Sequence, residues 1–436
     1  VIPMSQLFLI AFRNLVQHSR RTLLLGGAIM GVTALLVLLL GLLNGIRSTI
    51  LESATTLMTG HVNVGGFFKV TAGAAAPVVT HYPDILTVIR REVPEVDYVT
   101  QRGRGWAKVV SDTGSLQSGV GGIDILHEPG FRRVIQVKEG SLDGLAEPGT
   151  ILIFDMQAEK LGVRVGDQLT LSAYTLRGVA NTVDVRIVAI AKNVGLLSSF
   201  NTYVPDSTLR ALYQMNEGAT GALFIYLKDV RASPRVQERL RKVLAAAGYQ
   251  LMDPDPRAFW FKFETVNREG WTGQKLDVTT WEDEISFIQW TITAITWLSY
   301  TLIGILLVII VVGLMNTLWI SIRERTREIG TLRAIGMQRV RVLAMFMIEA
   351  FTLSITATVA GAGLGLGICA LLNLAHLHAP LALQLFLMRE EFHLLVKPSA
   401  VAGAIGLIAG STSAIALIPS LLAARLQPVT AMHRVG

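Results

Sequence analysis

The sequence predicts an α-helical membrane protein with four transmembrane helices and a large α/β domain inserted between helices 1 and 2, on the outer side of the membrane. Three observations predict it. Hydrophobic residues make up 51% of the 436-residue chain and charged residues 16%, and mean hydropathy is +0.49, a composition typical of membrane proteins. Four segments, 22–46, 285–322, 350–388 and 398–424, contain no Asp, Glu, Lys or Arg, and a bilayer span needs about 20 residues. Between the first and second of these, residues 47–284 have ordinary soluble composition.

Residues 1–21 read as a cytoplasmic amphipathic helix. It carries Arg13, Arg20 and Arg21 and no acid. Residues 22–46 form transmembrane helix 1. Its apolar run is longer than a signal-peptide core, and the stretch before it is amphipathic rather than a short basic region, so it is expected to be retained.

Residues 47–284 read as a mixed α/β domain. Strand patterns fall at 61–64, 106–110, 150–154, 168–173, 182–190 and 223–227, and helix patterns at 83–92, 155–161, 207–215 and 234–247. Gly162 to Asp167 reads as a tight pair of turns. The stretch 254–281 reads as irregular. Its Trp260, Trp271 and Trp281 are expected in packing rather than in a binding cage.

Residues 285–322 are too long for a simple span. A continuous helix would rise roughly 57 Å, against about 30 Å of hydrocarbon. Gln289, Trp290, Thr291, Thr293, Thr296 and Trp297 at its outer end belong at or above the interface. The segment is expected to be a stalk and transmembrane helix 2 in one, running into the outer domain. A short interfacial helix followed by an ordinary span is the alternative.

Residues 323–341 hold Arg323, Arg325, Arg327, Arg333, Arg339 and Arg341 against Glu324 and Glu328. A short basic loop between spans marks the cytoplasmic side. The interleaving of charge with Ile329, Leu332 and Ile335 also predicts an amphipathic helix with something to dock against.

Transmembrane helix 3 is assigned to 342–378, a short outer loop to 379–398, helix 4 to 399–424, and a cytoplasmic tail with Arg425 and Arg434 to 425–436. Gly361, Gly363, Gly365 and Gly367, and Gly403, Gly406 and Gly410, are spaced for close helix packing in lipid. Glu349, near the start of helix 3, is read either as a headgroup-level carboxylate or as a functional intramembrane acid. The single cysteine, Cys369, excludes a disulfide-stapled outer domain and is expected to pack as a small hydrophobe.

This charge distribution puts both termini and the Arg-rich loop in the cytoplasm and the large domain outside. The net charge of +7 and pI of 9.6 are then consequences of topology. Nucleic acid is not an expected partner, since that requires a clustered basic face on a soluble domain. No P-loop pattern is present, so the chain has no nucleotide site of its own. His376, His378 and His393 lack a fourth ligand, and no metal site is expected. No Gly-x-Ser-x-Gly elbow occurs, and the chain reads as a non-enzyme without catalytic residues.

The sequence resembles the ABC-transporter permeases shared by lipoprotein-releasing, macrolide-exporting and cell-division systems. Ala11-Phe-Arg-Asn-Leu15 with Arg20-Arg-Thr22, the segment Glu324 to Gly336, Glu349, and Pro419 to Met432 are similar to the family's patterns. Leu43-Asn-Gly-Ile-Arg47, Thr59-Gly-His-Val62, Ala158 to Asp167 and Trp281 resemble the lipoprotein-releasing branch. That branch carries an extended carrier-recruiting loop in the hairpin after Asp167. Here the hairpin between Leu171 and Val183 has only the short tip Tyr174 to Val179, so a second subunit would recruit the carrier or the export system is of another kind.

The resemblance implies a permease of the bacterial inner membrane, with its large domain periplasmic. It implies pairing with a second permease subunit, as a homo- or heterodimer, and with a cytoplasmic ABC ATPase dimer. ATP and Mg would sit on that partner, with no cofactor bound by this chain. Coupling to the ATPase would fall to Arg323, Glu324, Arg325, Thr326, Arg327, Glu328, Ile329, Gly330, Leu332, Arg333, Ile335 and Gly336. Mechanotransmission to the periplasmic domain would extract or export a lipidated or amphipathic substrate such as a lipoprotein, with a periplasmic partner. The substrate, with membrane lipid, would meet Leu38, Leu42, Asn44, Trp297, Tyr300 and Ile303. The alternatives are a non-transporting regulator of a periplasmic enzyme and a drug or peptide efflux permease.

Overall fold

The computed structural model describes residues 13, 16–17, 19–71, 75–324, 326–378 and 391–425. The chain divides into two compact units. A helical unit holds 1–47, 293–377 and 392–436, and an α/β unit holds 48–292 and 378–391. The expected amphipathic helix at 1–21 falls largely outside the described residues.

The helices are α1 (Ser19–Leu57), α2 (Tyr82–Glu92), α3 (Pro129–Val134), α4 (Asp155–Leu161), α5 (Gly195–Phe200), α6 (Asp206–Tyr213), α7 (Ser233–Ala246), α8 (Phe263–Arg268), α9 (Trp281–Glu284), α10 (Ser286–Glu324), α11 (Thr326–Ala334), α12 (Arg339–Leu374) and α13 (Pro398–Ala424). The strands are β1 (Val62–Lys69), β2 (Val96–Val110), β3 (Ser115–Ile123), β4 (Val137–Gly140), β5 (Thr150–Phe154), β6 (Gln168–Tyr174), β7 (Ala180–Ala191), β8 (Asn201–Pro205), β9 (Ala222–Leu227) and β10 (Gly273–Thr280).

In the helical unit, α1, α10, α12 and α13 are each long and apolar enough to cross a membrane. Helix α13 coincides with the segment read from charge, α12 starts earlier and ends sooner, and α1 and α10 run past the C-terminal ends of theirs. The first runs on to Leu57, and the second covers 39 residues from Ser286. The division between units falls inside α1 and inside α10. Within the helical unit, Ile29, Leu36 and Val37 of α1 share a core with Ile310 of α10, Ala357 and Ala362 of α12, and Ala404 and Ile408 of α13. The hydroxyls of Ser354 and Thr412 pair between α12 and α13, satisfying each other where lipid offers no partner. Cys369 is buried, as a packing residue should be.

Small residues set the approach of α1 to α12. A Cβ at Gly361 would stand 2.4 Å from the Met30 carbonyl oxygen, and one at Gly365 would stand 2.9 Å from that of Ala34. The expectation for the other glycines is corrected. Gly363, Gly367, Gly403, Gly406 and Gly410 have no described atom of the chain within 4 Å of a would-be Cβ. Two residues along a helix is a rotation of about 200°, which puts Gly363 and Gly367 on the side of α12 away from α1.

In the α/β unit the strands run in the order β10-β1-β9-β2-β3-β8-β5-β7-β4, with β6 pairing both β2 and β7. Strand β2 is the hinge of this arrangement. Its first half, to Arg102, pairs with β9, and its second half, from Gly103, pairs with β3. The ladders β2-β3-β8-β5-β7-β6-β2 close on themselves. Their interior holds Val109, Val120, Ile151, Ile153, Leu171, Val185 and Ile187. The open half, β10-β1-β9-β2, buries Val62, Val64, Leu223, Ile225, Leu276 and Val278 against α2 and α7 through Ile85, Ile89, Val236, Leu240 and Leu244.

The stretch 254–281, expected to be irregular, holds a 3₁₀ turn at Phe259–Lys262, then α8, then β10. The alternation in β10 is hidden because both faces are buried. Leu276 and Val278 face the apolar core, while Asp277 and Thr279 are equally buried on the other face.

Candidate functional site

The segment expected to couple to a partner contains α11. Thr326 Oγ1 donates to the Ile322 carbonyl at 2.8 Å, and Gly336 ends the segment with φ 100°, in the left-handed region. Ile329 is 1% exposed and packs with Ile322, Val342, Met345, Phe346 and Ala423. Gly330 is buried beside it. Arg333 Nη1 donates to the Ala424 carbonyl at 3.0 Å, holding the segment to the end of α13. Arg323, Glu324, Arg327 and Gly336 are exposed. Ile335 is 79% exposed, so the three expected packing residues do not form one buried stripe. It lies past the end of α11, six residues from Ile329 and off that residue's face. Arg325 lies outside the described residues, as do the side chains of Glu328 and Leu332.

The residues expected to meet substrate do not converge within one chain. Leu38, Leu42 and Asn44 are half-buried in α1. Trp297 and Tyr300 are 67% and 61% exposed on α10, with their rings edge-to-face at 6.3 Å. Ile303 packs into the four-helix core. Glu349 is buried in α12. Of the expected packing tryptophans, Trp271 is half-buried and lies 4.8 Å under the Lys69 ammonium.

Sequence reading missed the polar center of the α/β unit. Arg102-Gly-Arg-Gly-Trp106 sits on β2. Alternate strand residues share a face, so both arginines point one way and both glycines the other. That alternation was the available signal. The bare side is needed. A Cβ at Gly103 would be 2.2 Å from Leu209 Cδ2 on α6.

Every nitrogen of the Arg102 guanidinium donates. Nη1 donates to the Leu57 carbonyl and Nη2 to the Thr56 carbonyl, both at 2.9 Å. The Nε/Nη2 edge holds Glu128, with Nε 3.1 Å from Oε1 and Nη2 close to Oε2. Tyr203 and Tyr226 donate their hydroxyls to the carbonyls of Leu57 and Thr55 at 2.9 and 2.8 Å. The last carbonyls of a helix have no partner within it and carry partial negative charge. Here a buried cation and two phenols meet them. Burial disfavors the Arg102 charge, but the Glu128 carboxylate outweighs it and holds the guanidinium above its ordinary pKa. Desolvation pushes the Tyr203 and Tyr226 phenols up.

Arg104 is used differently. Its side chain is 8% exposed and its Nη1 lies 3.7 Å from Glu284 Oε1. Desolvation lowers its pKa, opposed by Glu284 and Asp277. The guanidinium lies over the rings of Phe259 and Phe224, at 4.6 and 5.1 Å. Beside it, Lys262 Nζ pairs with Asp277 Oδ2 at 2.7 Å, and both are buried. Arg102 and Arg104 border a cavity of about 270 Å³ walled by Trp106, Phe200, Phe224, Phe259, Trp260 and Phe261. Among the described residues no cluster of His, Cys, Asp and Glu is placed to hold a metal.

Residues 22–243 match the model of the MacB-like periplasmic core domain, and residues 300–428 match that of the FtsX-like permease C-terminal region. The macrolide export ATP-binding/permease protein MacB of Agrobacterium fabrum is 29% identical over 153 residues, 34% of this chain and 21% of that protein. MacB 1/2 of Paracoccus denitrificans is 24% identical over 266 residues, 59% of this chain and 33% of that protein. An uncharacterized ABC transporter permease of Methanocaldococcus jannaschii is 23% identical over 165 residues, 38% of this chain and 36% of that protein. The matches thus span about a fifth to a third of these curated relatives. The crystal structure of the periplasmic region of MacB from Actinobacillus actinomycetemcomitans aligns with a TM-score of 0.33 at 12% identity, over 56% of this chain and 97% of that one.

Proposed function

The chain belongs to the family of ABC transporter permeases with a MacB-like periplasmic core domain and an FtsX-like C-terminal region, and from that premise we propose that it is the permease subunit of an ATP-driven exporter of amphipathic substrates. A separate cytoplasmic ABC ATPase dimer supplies the energy, and a second permease subunit completes the pair. Both termini and α11 face the cytoplasm, and the α/β unit faces the periplasm, as the arginine distribution favors.

One observation carries this reading. Segment 323–336 is tied to its own helices through Ile329 and Arg333, yet turns Arg327 and Ile335 outward. A segment held this way can pass a push from a partner into α12 and α13 rather than bending. Closure of the ATPases on ATP would move the helices, and α1 and α10, in which the chain passes between its units, provide the covalent route to the α/β unit. Such coupling requires contacts that differ between the two states.

The relatives named for macrolide export favor a drug or other amphiphile as cargo. A lipoprotein is the second cargo, favored by the segments that resemble the lipoprotein-releasing branch. The test is ATP hydrolysis by the chain co-reconstituted with its ATPase in lipid nanodiscs. Stimulation by a macrolide supports drug export, and stimulation by a lipopeptide supports extraction. Stimulation only by a soluble periplasmic protein would overturn transport in favor of a regulator.

A further inference from the structure

Arg102 and Arg104 stand on one face of β2, two residues apart, and differ in one respect. Arg102 presents its Nε/Nη2 edge to a carboxylate, that of Glu128. The same edge of Arg104 finds no acceptor, and both Nε and Nη2 are buried. A guanidinium edge of two parallel N–H donors matches the two oxygens of a carboxylate or phosphate. Buried donors without acceptors are costly and uncommon in folded proteins.

Glu284 does not fill this role. It lies 3.7 Å from Nη1, on the other side of the guanidinium. Its oxygens already accept from Thr279 Oγ1 at 2.8 Å and from the Phe259 amide at 3.3 Å. Lys262, the neighboring cation, is taken by Asp277. Arg104 is therefore a buried cation of this face whose Nε/Nη2 edge has no acceptor, and its side chain borders the aromatic cavity. In register, Arg104 pairs with Gly121 and Trp106 with Gly119, so β3 contributes no side chain beside either. Trp106, Phe200 and Phe261 are 45%, 51% and 46% exposed, and form a rim that a ligand can pass. The volume of about 270 Å³ is near the small end of ligand-holding cavities, which start at about 300 Å³.

We propose that this cavity binds a small amphiphile whose oxyanion head, a carboxylate or phosphate, seats on the Nε/Nη2 edge of Arg104 and whose apolar body lies against the aromatic walls. The site lies wholly within the α/β unit, and its existence does not depend on transport.

The experiment uses the full chain in phosphatidylcholine nanodiscs and a diazirine-bearing decanoate, with the labeled peptides mapped by mass spectrometry. Labeling should fall on the cavity walls, be displaced by decanoate, and drop about tenfold when the probe is the corresponding alcohol, equivalent to about 1.4 kcal/mol. R104K keeps the charge but loses the two-pronged edge, and should lower labeling by a similar factor. Should R104K melt well below wild type, F261S at the exposed rim is read in its place, with a severalfold loss expected. Decyl phosphate displacing the probe better than decanoate would support the site and assign the head as phosphate. Equal labeling by acid and alcohol, labeling confined to the membrane helices, or undiminished labeling in the folded variants would overturn the proposal.

Discussion

The guanidinium of Arg102 caps α1, with Nη1 donating to the Leu57 carbonyl at 2.9 Å. The side chain is 2% exposed and its counterion, Glu128, is 4% exposed. The end of α1 is thus fixed inside the α/β unit by a buried ion pair whose guanidinium also donates to two backbone carbonyls. Such a pair is expensive to desolvate, and removing one partner leaves a buried charge uncompensated.

R102M should therefore destabilize the chain by about 3–5 kcal/mol, since Glu128 remains buried and the α1 carbonyls lose their donors. The double variant R102M/E128L should recover a substantial part of that loss. Thermal unfolding followed by tryptophan fluorescence measures both. Equal destabilization of the single and double variants would show that the ion pair is not the seat of the effect.

G361A and G363A should separate cleanly. A methyl at Gly361 meets the Met30 carbonyl oxygen at 2.4 Å, and backbone cannot give way, so a loss of about 1–3 kcal/mol is expected. At Gly363 nothing lies within 4 Å, and alanine should be neutral or stabilizing by up to about 1 kcal/mol through helix propensity. Melting temperatures in detergent decide it. Equal losses at both positions would contradict the packing described.

His61 should make the α/β unit sensitive to acid. Its Nδ1 accepts from the Leu227 amide at 2.9 Å, a bond that protonation of Nδ1 would destroy. Burial lowers its pKa from the ordinary 6.5, partly opposed by the Asp97 carboxylate. A folded pKa below the unfolded one means the unfolded chain takes up the proton first. The His61 contribution is then complete above about pH 6.5 and declines as pH falls through the folded pKa. Unfolding measured from about pH 8 to about pH 5 should show this decline in wild type and a flatter profile in H61Q. Identical profiles would remove His61 as the cause.

The fold was legible where one face of an element meets an apolar core. Strand β5 and helix α4 were read at their observed bounds. An apolar run ends at an acidic helix start, and Gly162, at φ 66°, supplies the left-handed stop. Strands β3 and β10 were not read. The first is rich in glycine, and the second buries Asp277 and Thr279, so neither shows apolar alternation. The polar center was hidden for a related reason, since an arginine in a strand ordinarily reads as solvent-facing. Equal spacing made Gly361 and Gly363 look alike, because spacing alone does not say which side of a helix meets a neighbor. The reach of α11 to its own helices through Arg333 and Ala424 joins positions 91 residues apart and leaves no local mark.

The central claim is that segment 323–336 joins this permease to a cytoplasmic ABC ATPase. The most direct measurement is co-purification of the tagged chain expressed with its genomic neighbors, with any ABC ATPase identified by mass spectrometry, comparing wild type with I335D and R327E. Both side chains are exposed, so the variants should insert and melt like wild type. The account predicts that wild type retains the ATPase and that each variant loses most of it. Undiminished retention by both variants, or no ATPase with wild type, would contradict it.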